Sequence, residues 1–243
     1  MASWGESLEG RLAPRRRRGI EYLDSPDVDP EVRRRSHRDI DLSNLLLGGS
    51  RALGAALGDT IRELPSREAT VLDVGSGSGD TIELAQGIGA RSGRRLTGIA
   101  LDLNADLVKT CAKRNQLGVC ASALALPFPD QSVDIVVCSL LLHHFEGADL
   151  CQALRELDRV ARMRVLIHDL RRSRVAAVGL WALSFPLGFH PISRHDGVTS
   201  VLRGFTRHEL RTLVYDSTGA HPRVSRHLGY RLVGSWRPAG REA

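Results

Sequence analysis

Residues 71–80 read VLDVGSGSGD, and this stretch restricts the possible folds more than any other in the chain. Val71, Leu72 and Val74 suit a buried strand, Asp73 puts a carboxylate inside the same run, and glycine then recurs at Gly75, Gly77 and Gly79. Glycines at that spacing let backbone approach a ligand closely and present unhindered amides where the next helix begins. Glycine loops serve several cofactors, so the remaining sequence has to choose among them.

From Thr70 onward the pattern alternates. Strands are predicted at 70–75, 96–102, 117–121, 133–138 and 164–168, with helices near 80–91, 105–115 and 147–161. Strand–helix–strand units at this spacing imply right-handed crossovers and a mostly parallel sheet covered on both faces. Upstream, Asp29 caps a helix that Pro30 opens and Gly48 ends, and a second helix follows over 50–64. Beyond residue 170 an apolar helical stretch precedes PISRHDGVTSVLRG, in which RHDG (194–197) reads as a connection outside the sheet. Thr206 and Glu209 then form a capping box, and two strand-like runs flank Gly229 as an antiparallel hairpin. The expected organisation is a flexible arginine-rich lead-in (1–27), a helical cap (28–66) and one ligand-binding domain (67–243) with a lid over about 171–204.

Composition narrows the function classes. The chain has 243 residues and 42% hydrophobic content, enough for a full core. Its net charge of +6 comes almost wholly from arginine, since Lys109 and Lys113 are the only lysines. The runs RRRR (15–18) and RRR (33–35) are short and lack interleaved aromatics, which disfavours nucleic acid as a partner. Cys111, Cys120, Cys138 and Cys151 form no C-x-x-C pair, so reduced thiols and a cytoplasmic location are expected. No signal peptide is visible, and the longest apolar run, Val175 to Phe189, contains Pro186 and falls short of the roughly 20 residues of a membrane span. A lid or core helix is expected there, with no membrane partner.

The glycine spacing then discriminates between cofactors. A dinucleotide fingerprint is G-x-G-x-x-G/A, whereas this chain has G-x-G-x-G with Asp80 where the third small residue belongs. A carboxylate there is a poor host for a diphosphate and tolerable beside a cationic centre. Asp102, at the end of the second strand, suits two ribose hydroxyls and supports any adenosine cofactor.

Taken in order, VLDVGSGSG, LDLN and LPFPDQSVDIV resemble the motifs of the class I S-adenosylmethionine-dependent methyltransferases over about 70–170. CSLLLHHF, HDLRRSR and RHDG…SVLRGFT look like the bacterial methyltransferases associated with type III polyketide and phenolic pathways. The resemblance implies a Rossmann-like α/β fold with a seven-stranded sheet, mostly parallel with the last strand antiparallel. It also implies S-adenosylmethionine as cofactor, S-adenosylhomocysteine as product, and a phenolic or polyketide-derived small molecule as acceptor, with a monomer or homodimer as the working form. Carried onto this chain, Asp73, Gly75, Ser76, Gly77 and Gly79 would hold the methionine part, and Asp102 with Leu103 the ribose. Ser122 and Ala123 stand where the family commonly has an aspartate for the adenine amino group, a departure that points to weaker cofactor binding. Ser139 ends the fourth strand at the same rim.

The acceptor side is less constrained. His143 and His144 follow the fourth strand, where a sulfonium methyl would point; either is a candidate base for a phenol, and either can instead pack locally. His195 in RHDG is a third candidate, although a turn explains that tetrapeptide nearly as well. Arg171, Trp181 and Phe185 are candidate acceptor contacts; the bland readings are surface charges for Arg171 and Arg172 and plain core for the aromatics. Metal-assisted catechol chemistry needs several oxygen ligands after strands four and five, where this chain offers Ser139 and Asp169, so no metal is expected. O-methylation and ring C-methylation fit the same site; the alternative from another class is a nucleic-acid-binding or RNA-modifying protein, and base methylation is disfavoured because CSLLL offers no aromatic clamp for a flipped base.

Overall fold

The computed structural model of the chain describes residues 13–238 apart from 18, 26, 47 and 115, so residues 1–12 of the lead-in lie outside the described residues. Two helices come first, α1 (Pro30–Leu46) and α2 (Gly49–Arg62). The alternating unit follows: β1 (Glu68–Val74), α3 (Asp80–Arg91), β2 (Arg95–Asp102), α4 (Ala105–Lys113), β3 (Leu117–Cys120), β4 (Val133–Ser139), α5 (Gly147–Val160) and β5 (Ala161–Leu170). Helices α6 (Arg174–Ser184), α7 (Pro191–Arg203) and α8 (Arg207–Thr218) precede the hairpin β6 (Arg223–His227) and β7 (Arg231–Trp236). The sheet runs β3-β2-β1-β4-β5-β7-β6, with β1 to β5 parallel and β7 antiparallel to both of its neighbours. This is the expected architecture. Its strand order reverses between β1 and β4, which opens a crevice beyond their carboxyl ends.

Alternation along the strands builds two apolar layers. Leu72, Val74, Val136 and Ile167 face α5 and α8, where Leu154, Leu157, Leu210 and Phe205 close the core. Val71, Ile135, Val137 and Leu166 face α2 and α3 through Leu53, Leu57, Ile61 and Ala85. Near-continuous burial along β1 and β4 is what a central parallel strand requires.

Local punctuation holds at most ends. The Asp29 carboxylate accepts from the amides of Glu31 (2.8 Å) and Val32 (3.2 Å), and Thr206 and Glu209 form the reciprocal capping box. One expectation fails: RHDG (194–197) lies inside helix α7 rather than in a turn. His190 caps it through its ring, Pro191 occupies the first turn, and Gly197 permits close packing on α6, since a Cβ there would lie 3.0 Å from Leu180. The second half of α1 docks through polar groups. Ile40, Leu42 and Leu46 are exposed, while buried Ser36 and Asp39 bond the Ser193 hydroxyl and the His190 amide. Among the described residues no helix is long and apolar enough to cross a membrane.

Candidate functional site

The loop after β1 is a left-handed cradle. Gly75, Gly77 and Gly79 all have positive φ, at 75°, 52° and 84°. A Cβ on Gly75 would fall 2.8 Å from Leu141, and one on Gly79 would fall 2.1 Å from the Gln116 amide oxygen, so these two glycines are fixed by packing. A Cβ on Gly77 would meet nothing within 4 Å; it faces open space. The Ser76 amide donates to the Leu101 carbonyl (3.0 Å) and the Gly77 amide to the Asp102 carboxylate (3.0 Å).

Asp73 is 1% exposed, and neither of its oxygens has a hydrogen-bond partner of good geometry. Burial pushes its pKa up to about 7; the Thr81 hydroxyl only tempers the effect, and the charges of Asp102 and Asp80 add to it. A bare buried carboxylate at the mouth of a glycine loop fits a ligand that brings a cationic group. Asp102 accepts from the amides of Gly77 and Asn104 (2.9 Å), one on each oxygen, which leaves lone-pair sites for two hydroxyls. Asp80, read above as a charge beside the ligand, instead pairs with Arg114 at 2.6 Å. Its helix-start position therefore carries less discrimination than the spacing alone suggested. The Ser122 hydroxyl accepts from the Leu124 amide (3.2 Å), Ala123 is packed in the core, and Leu103 is 74% exposed. The Ser139 hydroxyl pairs with His168 Nδ1 at 3.0 Å, and burial drives the His168 pKa down to about 4, so this ring is neutral.

Across the crevice lies a cavity of about 490 Å³, mostly apolar, between the β4–β5 rim and helices α1, α6 and α7. His143 and His144 belong to its lining. They sit in a single 3-10 turn, Leu142–His144, with their rings 4.3 Å apart. His143 Nδ1 lies 2.7 Å from Asp169 Oδ1, and the His143 amide donates to Oδ2 at 3.2 Å. Burial alone would raise the Asp169 pKa, but the imidazole beside it and the Leu170 amide hold it below the usual carboxylate range. An ionised Asp169 can only accept, so the hydrogen between the two sits on His143 Nδ1, and Nε2, 3.9 Å from the Glu21 carboxylate, is the ring's other nitrogen.

The turn is clamped from behind. Arg16 donates to the carbonyls of His143 (3.2 Å) and Phe145 (2.9 Å), and Arg203 donates to those of His143 (3.1 Å) and His144 (2.8 Å). Buried Glu21 reaches over the top, 3.4 Å from Arg203 and 3.9 Å from Nε2 of each histidine. Glu21, His143 and His144 could offer three ligand atoms to a metal ion, all within 4.8 Å of one another. The Arg203 guanidinium already balances that carboxylate. Two non-glycine residues with positive φ, Leu140 (54°) and Tyr230 (56°), also line the cavity, the kind of local strain that functional sites retain.

Other sequence candidates are not brought into the cavity. Trp181 and Phe185 stack edge to face 4.9 Å apart on the outer side of α6, each about half exposed. The lining comes from the neighbouring helical face, Ala176, Gly179, Leu180 and Leu183. His195 is 49% exposed and bonds Asp196, whose carboxylate also takes the amides of Tyr22 and Leu23. That pair fastens residues 22–23 and does not reach the cavity. Arg171 lies over the Tyr230 ring at 4.6 Å, outside the lining. Arg172 is no surface charge: it is 5% exposed and tied to Pro14, Gly204 and Glu209. Asp169, Glu21, Arg203 and Arg231 were not assigned site roles from sequence, because their partners lie up to about 180 residues away.

Comparison with known proteins follows the same division. Residues 72–167 match a family model described as a methyltransferase domain. The chain is 32% identical over 113 residues to the ubiquinone/menaquinone biosynthesis C-methyltransferase UbiE of Rickettsia massiliae, which covers 42% of this chain and 44% of that protein. The chain thus spans under half the length of such curated relatives. Among solved structures, the plantazolicin methyltransferase BamL superposes with a TM-score of 0.65 at 14% identity, over 89% of this chain and 92% of that one. A SAM-dependent methyltransferase from Aquifex aeolicus gives 0.52 at 19% identity, over 70% and 82%. These likenesses establish the Rossmann-like methyltransferase fold.

Proposed function

We propose that the protein is an S-adenosylmethionine-dependent methyltransferase acting on a small phenolic acceptor, with His143 as the base. The observation that carries this reading is the buried His143–Asp169 pair, 2.7 Å apart, with His143 lining an apolar cavity whose Leu140 is followed by Leu141, the side chain packed on Gly75 of the glycine loop. S-adenosylmethionine, when bound, supplies a methyl group already activated by a sulfonium. The glycine loop and Asp73 would receive its methionine part, Asp102 its ribose, and Ser122 its adenine edge. Asp73 supports the cofactor assignment, since a buried carboxylate without hydrogen-bond partners is relieved by an ammonium group.

The chain's own task is alignment and proton removal. A phenol with pKa near 10 is a weak nucleophile at neutral pH until its proton is taken. His143 Nε2 would take that proton, and Asp169 would hold the ring in the required tautomer and balance the imidazolium. Arg231 lies in the cavity wall, buried, with its pKa lowered to about 10 by burial against the opposing pull of Asp169, and so stays charged at neutral pH. It favours an acceptor that becomes anionic. The apolar lining excludes water and keeps the nucleophile poorly solvated.

Calorimetric titration tests the cofactor assignment. S-adenosylmethionine and S-adenosylhomocysteine should bind and NAD(H) should not; saturable NAD(H) binding with neither sulfur compound bound would overturn it. A second reading, methylation at a ring carbon, draws on the relatives named as C-methyltransferases. The same base would ionise the hydroxyl and enrich the adjacent ring carbons. The NMR shift of the product methyl separates attachment at oxygen from attachment at carbon.

A further inference from the structure

Helix α6 has two apolar faces; one packs into the core, and the other, among the described residues, is covered only at Phe185, by the Arg194 guanidinium 3.7 Å from the ring. Ala176, Ala177 and Leu180 pack against α7. The other face carries Val175 (69% exposed), Val178 (65%), Trp181 (52%) and Phe185 (50%), spaced three or four residues apart along one stripe. A stripe of four large apolar side chains at half exposure or more is unusual for a free surface. Its surroundings have one sign of charge. Arg15 and Arg17 from the amino-terminal segment and Arg174 from the first turn of α6 are exposed and border the hollow shared by Val178 and Trp181. No acidic residue occurs in 13–20 or in 171–195.

We propose that this face docks on an anionic lipid bilayer, with Val178, Trp181 and Phe185 seated among the headgroups and upper acyl chains and Arg15, Arg17 and Arg174 against lipid phosphates. Trp beside apolar side chains, rimmed by arginine, is the composition of an interfacial helix, and the arginine charge complements an anionic surface. A symmetric second copy is the poorer occupant, because an isologous contact would bring two arginine clusters together. The face also adjoins the cavity: Val175 and Leu183 line the cavity and are themselves exposed. An acceptor dissolved in the bilayer would therefore enter without crossing water. That route rests on the proposed methyl transfer, whereas the docking does not.

Flotation with vesicles tests the docking without any assay of activity. The full chain should float with vesicles of equal parts phosphatidylcholine and phosphatidylglycerol, far less with phosphatidylcholine alone, and progressively less as salt rises. Arg15→Gln and Arg174→Gln should each weaken partitioning by about fivefold. The double variant Val178→Glu/Trp181→Glu should weaken it by about tenfold or more. Its melting temperature, and its turnover of a water-soluble phenol, should match wild type because both side chains are exposed and outside the cavity lining. The proposal is overturned if wild type fails to float with phosphatidylglycerol, or if the double variant floats as well as wild type. It is equally overturned if sedimentation shows a dimer that the double variant dissolves, which would give the face to a second copy. Should the double variant prove unstable, the salt dependence of wild-type flotation decides alone.

Discussion

The two sides of the crevice are built in opposite ways. On the β1–β2 side, Asp73, the glycine cradle and Asp102 fall within 30 residues of one another. On the β4–β5 side, Glu21, His143, Asp169, Arg203 and Tyr230 meet from five separate segments. The first side is a contiguous motif and the second is an assembly. A motif can be read and transplanted whole, while an assembly is held by buried charge contacts whose loss is felt at a distance.

Breaking the assembly at its reactive atom should give the largest effect. His143→Ala is expected to lower kcat by about 10²–10⁴ with cofactor affinity unchanged, and the deficit should shrink as pH approaches the ionisation of the phenol. A deficit that does not vary with pH would reduce His143 to a positioning residue. His144→Ala, which removes no contact to Asp169, should cost far less.

Breaking the motif should affect binding only. Gly77→Val places a β-branched residue at φ 52° with its Cβ in open space, so the fold tolerates it with a strain of about 1–2 kcal/mol. Calorimetry should find cofactor affinity reduced by about a hundredfold or more. Wild-type affinity in that variant would mean that the space above Gly77 is not where the ligand lies.

How far each side was legible follows from the same contrast. The alternating strands and helices, the glycine loop and Asp102 could be placed because strand ends and helix starts are dictated by residues a few positions apart. Trp181 and Phe185 were misplaced because an all-apolar helix has no polar face to reveal its phase, and the inward stripe proved to be Leu180 and its neighbours. His195 was a candidate as part of RHDG, whose Asp196 instead takes the amides of Tyr22 and Leu23, partners that carry no side-chain signature. The Asp169 partnership with His143 depends on β4 and β5 lying side by side, which sequence implies, and on the turn at 142–144 folding back over β5, which it does not.

Smaller effects sharpen the contrast. Folded Asp73 keeps its proton up to pH about 7, against 3.8 in an unstructured chain, so the native state binds the extra proton between those values. Stability of the ligand-free protein should therefore fall as pH rises through that window, by about 2–4 kcal/mol in all. Asp73→Asn should flatten this slope in thermal melts from pH 4 to 8; a slope unchanged in the variant would place its origin elsewhere. On the other side, Leu180→Ala should raise the acceptor KM several-fold, whereas His195→Ala should leave kcat within about twofold of wild type. A large kcat loss at His195 would return that residue to the mechanism.

The division of labour makes one demand above the rest: a methyl group must pass from a ligand held by the motif to a nucleophile held by the assembly. Incubation of the purified chain with methyl-labelled S-adenosylmethionine and a panel of phenols and resorcinols, read by mass spectrometry, tests this directly. The account predicts an acceptor that gains one labelled methyl, with formation abolished in Gly77→Val and slowed, in a pH-dependent manner, in His143→Ala. Label found in RNA and in no phenol would contradict it.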